Sequence, residues 1–174
     1  MRRLLFGIAG VALAATAAAA VFAVLYFTKG STTASGTRAT CGEDRLFGHI
    51  ASLVRKDGRF VLRFDPAWFT SGVTANTAAA EDGAIQPGEA VPNDNYVVDE
   101  GHRLLAYNVE PRAHVTVLTR NGPGPLGETP VSLSELERIV NGGTHRPLFE
   151  PLDSGVWISV HVDTVCSLDQ QYRP

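Results

Sequence analysis

Residues 91–103 read VPNDNYVVDEGHR, which sets Asp94, Asp99 and Glu100 among Asn93, Asn95 and His102. Oxygen donors at that density raise the question of a calcium loop, which needs ligands at alternate positions and glycine at the sixth. Counting from Asp94 puts Tyr96 and Val98 at the third and fifth positions, and counting from Asn93 puts Val98 at the glycine position. The pattern fails in both registers. The same residues make a turn at 92–95 through side-chain hydrogen bonding, a short apolar strand at 96–98 and a stop at 99–101. The five histidines, His49, His102, His114, His145 and His161, fall in neither H-x-H nor H-E-x-x-H spacing. His161 and Asp163 project from one strand face, but zinc needs a third protein ligand. A metal-binding module is therefore the weakest functional reading, and no metal or cofactor is expected. Ser154 in DSGVW lacks the G-x-S-x-G frame of a serine nucleophile and reads as a turn. Cys41 and Cys166 are the only cysteines. In an oxidising compartment two thiols at opposite ends of one domain make a disulfide.

The elements that carry these residues read mainly as strands. Residues 45–54 and 58–65 are the first two, with Phe60, Leu62 and Phe64 alternating against Val61 and Arg63, and Lys56-Asp57-Gly58 joins them as a hairpin. A second pair, 102–109 and 113–119, is separated by Glu110-Pro111-Arg112. A last strand, 155–163, sets Val156, Ile158, Val160 and Val162 on one side and Trp157, Ser159, His161 and Asp163 on a wet one, and Cys166 follows at its end. Two short helices interrupt the pattern. One spans TANTAAAEDG, with Thr74 as N-cap and Gly83 as stop; the other, SLSELERIVNGG, opens with the capping box Ser132-x-x-Glu135 and ends at Gly142. NGPGPLGETP, 121–130, is a loop. The expected fold class is mostly β (α+β): a small, partly closed β-barrel, OB or SH3-like, with two short helices, after an N-terminal transmembrane helix. Closure is favoured because it hides sheet edges in a small chain.

Ahead of this domain, Arg2 and Arg3 precede an uncharged run over residues 4–27. As a helix it would be about 36 Å long, enough to cross a hydrocarbon core of ~30 Å. ATAAAA offers signal-peptidase sites, yet VFAVLYF continues the run beyond them, so residues 1–29 read as a membrane anchor, with a cleaved signal sequence as the rival. Leading arginines place the N-terminus in the cytoplasm and the rest outside. TRATC is a poor lipobox, with Arg38 and Thr40 where small apolar residues belong. Residues 30–40, GSTTASGTRAT, form a polar tether, and 41–174 form the extracytoplasmic domain. The first 40 residues hold four cations and no acid, so the chain's net charge of −3 becomes −7 over 41–174. An acidic domain is a poor partner for nucleic acid.

GHR at 101–103, VDTVC at 162–166 and Arg173, on an anchored extracytoplasmic β domain, resemble the sortases, with DTVC standing where that family has T-L-x-T-C. The resemblance implies a cysteine transpeptidase in which Cys166 is nucleophile, His102 acid/base and Arg173 the oxyanion partner. A second resemblance covers more of the chain. GHIASLVRKDGRFVLRFDPAWFTSGVTANTAAAEDG, VPNDNYVVDEGHRLLAYNV and SVHVDTVCSLDQQYRP are similar to segments of uncharacterised secreted or membrane-anchored proteins of high-GC Gram-positive bacteria, the actinobacteria. That family implies location and domain extent, with no assigned activity. The expectation is a non-catalytic binding or envelope-associated module, partnered by the membrane through residues 4–27 and by an extracytoplasmic protein or envelope ligand. The sortase-like enzyme is the alternative.

Overall fold

The computed structural model describes residues 41–42, 44–99, 101, 103–123 and 126–173. The expected anchor and tether, 1–40, lie outside them, as do Glu100 and His102. Strand β1, Asp44–Lys56, and β2, Arg59–Ser71, form the expected hairpin. Asp57 and Gly58 both take positive φ, +50° and +77°, the left-handed pair that lets a two-residue turn follow the strand twist. Phe60, Leu62 and Phe64 are buried, as their alternation predicts. Beyond the expected end at Asp65, β2 continues through Pro66. Gly48 makes that crossing available, since a Cβ there would collide with the Asp65 carbonyl and lie 2.9 Å from Pro66 Cα.

Past Ala67 neither β1 nor any other barrel strand follows β2, and its last residues pair instead with β3, Asn95–Val98. Helix α1, Gly72–Glu81, lies between these two strands in sequence. It starts ahead of the expected Thr74, with Ser71 as N-cap. It ends as expected before Gly83, which adopts φ +72°. Ala75 and Ala79, one helical turn apart, pack with Val91, Ile85 and Tyr96 into a small core of their own. Tyr96 Oη donates to Asp82 Oδ2 at 3.1 Å, tying β3 to the end of α1. Burial and then that carboxylate raise the Tyr96 hydroxyl above its ordinary pKa.

The second expected strand pair is one long strand, β4, Leu105–Leu118. Its first residues pair with β2 and its later ones with β7, Thr164–Gln170, and the β7 ladder breaks between Val109 and His114. Pro111, which has no N–H to give, sits in that break. Part of the expected 121–130 loop is a short strand, β5, Glu128–Pro130, against the end of β4. Helix α2, Leu133–Val140, begins where its capping residue predicts: Ser132 Oγ accepts from the Glu135 N–H at 3.2 Å. Glu135 does not close the capping box. Its carboxylate takes two bonds from Arg146, at 2.6 and 3.0 Å, and this guanidinium holds the carboxyl below its usual range. Leu133, Leu136 and Ile139 turn inward and join the barrel core.

Strand β6, Val156–His161, turns through Val162-Asp163 into β7. Val162 was expected on the inner side; it stands at φ +59°, 85% exposed, as a hairpin corner. A β-branched residue rarely takes that conformation, so the sequence gives no sign of the turn or of β7 behind it. Cys166 consequently lies within a strand and not after the last one. The barrel runs β2-β1-β6-β7-β4 and returns to β2 through the β2–β4 pairing. Five strands close it completely, where partial closure was expected. All neighbours are antiparallel except β4 and β7. Phe64, Leu62, Leu53, Ile158, Val117 and Val165 fill the interior.

Candidate ligand-binding groove

Cys41 and Cys166 are joined in a disulfide with Cα atoms 5.5 Å apart. In this oxidised form Cys166 offers no thiolate. Arg173 is exposed, its backbone N–H donating to Glu150 Oε1 at 3.2 Å, and His102 lies outside the described residues. The sortase-like set is thus not assembled among the described residues.

The 91–103 stretch begins with a one-turn 3-10 segment at Pro92–Asp94, with Asn93 and Asp94 at positive φ and Asn95 Nδ2 donating to the Asn93 carbonyl at 2.8 Å. It continues as β3. Asp99 then approaches His49 Nε2 to 3.9 Å. The other histidines are apart: His114 Nε2 meets Thr116 Oγ1 at 3.1 Å, and His145 Nδ1 donates to the Arg146 carbonyl at 2.6 Å. His161 is exposed, and Asp163 accepts from Thr164 Oγ1 at 3.0 Å. Among the described residues no three histidine, cysteine or acidic side chains gather where they could hold a metal. Ser154 Oγ is committed to the carbonyls of Pro151 and Gln171, both at 3.1 Å.

A constellation that residue-type reasoning passed over lies where β1, β2 and β6 meet. Trp157 was expected on the wet face of its strand, and there it packs edge-on against Phe47 at 5.2 Å and Phe69 at 5.9 Å, while Phe47 and Phe69 lie 5.1 Å apart. Phe47 fits because Gly155 has no side chain; a Cβ there would overlap its ring. Trp157 Nε1 donates to Gln171 Oε1 at 2.7 Å, which fixes the indole. The Arg45 guanidinium stacks 4.7 Å from the Trp157 ring centroid. Trp68 stands 64% exposed nearby. Arg45, Phe47, Trp68, Phe69 and Trp157, with Pro66, Arg103 and Leu105, line an opening of ≈ 500 Å³. Both tryptophans of the chain are in it. Among the described residues neither Arg45 nor Arg103 has a carboxylate partner.

A larger cavity of ≈ 620 Å³ lies between β1, α2 and residues 145–153. Several of its polar members already have partners within the fold: His145 on the Arg146 carbonyl, His49 near Asp99 and Glu150 under the Arg173 N–H. The aromatic opening, where two arginines without a carboxylate partner among the described residues stand beside an exposed indole, is better equipped to take a ligand. Its sequence signal was the run Pro66-Ala67-Trp68-Phe69 at the end of an apolar strand, with Arg45 and Phe47 two residues apart on another. Nothing in either segment alone indicates that they meet. No family model, curated protein or solved structure matches this chain.

Proposed function

We propose that this chain is a non-catalytic binding module displayed outside the cell, whose envelope-associated ligand occupies the groove of Arg45, Phe47, Trp68, Phe69, Arg103 and Trp157. The observation that carries the reading is the meeting of both tryptophans at one opening with two arginines that have no carboxylate partner among the described residues. Aromatic rings supply contact area at low entropic cost, and arginines supply orientation. Within the closed barrel, the OB alternative is favoured over the SH3-like one by the parallel β4–β7 pairing and by α2 standing between the third and fourth barrel strands. The outer face of β2 and β4, where OB folds take oligonucleotides, carries Val61, Arg63, Ala106 and Asn108, with no aromatic ring at these positions to stack a base. That favours a ligand other than nucleic acid.

Tryptophan emission reports on this groove directly. Adding solubilised envelope material to the full chain is expected to change the emission saturably, and Trp68→Ala, which leaves Trp157 as reporter, is expected to abolish the change. A response that persists in Trp68→Ala would place the ligand elsewhere. The proposed location rests on residues 4–27, and the disulfide is compatible with it. Carbonate-washed membranes are expected to retain the chain with residues 1–29 intact; release with a new N-terminus near Val21 would make it a secreted module instead.

A further inference from the structure

Resting on the binding-module reading, we infer that the groove takes an extended acidic peptide of another protein, added as a strand along the end of β2. Trp68–Ser71 pairs with β3 on one edge only. Pairing with β1 stops at Phe47↔Ala67 and pairing with β4 at Phe64↔Leu105, so no described strand covers the second edge. On β1, Asp44, Arg45 and Leu46 likewise pair with β6 alone. Two strand segments with uncovered edges therefore border one opening, which Arg45, Leu46, Trp68 and Phe69 line together. Unpaired ladder groups are a template for an added strand, whose main chain supplies affinity and whose alternate side chains supply selectivity.

Charge names the occupant. The domain carries a net −7, yet the groove presents Arg45 and Arg103 without carboxylate partners among the described residues. Arg45 is already held against Trp157, so a carboxylate meets a preorganised guanidinium. The chain's own 30–40 segment is a poor match, because it contains Arg38 and no acid. A glycan would want open ring faces; the Trp157 ring is engaged by Arg45 and the two phenylalanines, which leaves Trp68 as the exposed indole.

The test pans a phage-displayed random dodecapeptide library against the full chain, purified oxidised in mild detergent, with Trp68→Ala as counter-selection. Recovered peptides are expected to be enriched in Asp and Glu over the input. A synthetic copy of one is expected to shift tryptophan emission, to bind about tenfold more weakly to the Arg45→Gln, Arg103→Gln double variant, and to lose binding when its alternate backbone nitrogens are methylated. Arg103→Gln alone, at an exposed side chain, serves if the double variant fails to fold. Peptides without acidic bias, or binding that survives N-methylation, overturn strand addition. Absence of any recovered peptide, with a saturable emission change on oligogalacturonate, overturns it in favour of an acidic glycan and leaves the groove reading standing. No emission change with peptide, oligogalacturonate or envelope material removes both.

Discussion

Replacing Cys166 by serine is expected to lower the unfolding free energy of the oxidised chain by about 4–5 kcal/mol in the chain-entropy account. The size follows from the separation of 125 residues between Cys41 and Cys166. Cutting the bond releases a long loop in the unfolded ensemble. In the folded state the link spans from the residues ahead of β1 to the middle of β7, past the intervening strand β6. The Gly42 N–H donates to Cys166 Sγ at 3.3 Å, so the chain entering β1 is fastened at that point. Denaturant unfolding of Cys41→Ser, Cys166→Ser and the double variant is expected to give the same loss in all three, since each removes one and the same bond. A loss under about 1 kcal/mol in the single variants, or an additive double variant, would refute the account.

Phe64→Ala is the second large effect, expected to cost about 3–5 kcal/mol. Phe64 is fully buried at the point where β2 pairs with both β1 and β4, with the Tyr107 ring 6.4 Å away. Its removal leaves a cavity at the seam that closes the barrel. The surrounding strands are tied by ladders on both sides and have little room to collapse into it. Trp68→Ala, a larger truncation at an exposed position, is expected to stay within about 0.5 kcal/mol of the parent. Equilibrium unfolding of the two variants side by side checks the contrast. Equal losses would mean that Trp68 is core and not groove.

What the sequence disclosed was local. Asp57-Gly58 announced its hairpin, Ser132 its helix, and the two cysteines their partnership, because in each case a few adjacent residues or one rare residue type carry the signal. The alternation of Phe60, Leu62 and Phe64 likewise placed the inner face of β2. Pairings between distant strands were not legible. The β2–β4 seam and the parallel β4–β7 pair depend on side chains far apart in the chain, and Pro111 suggested a break that the structure absorbs as an interruption in one ladder. Val162 hid the final hairpin behind a residue type that favours strands. The groove was hidden for the same reason as the seam: Arg45, Trp68 and Trp157 come from three strands, and their meeting is a product of closure. Trp157 alone was on the expected face.

The disulfide also has a mechanical consequence. Any tension applied to the domain at Cys41 would otherwise load the first residues of β1 and unzip them from β6 one hydrogen bond at a time. With Cys41 bonded to Cys166, the force passes into β7, whose neighbours on both sides would have to slide together. Arg45 and Phe47, on the strand that would peel first, would thereby be spared such a pull.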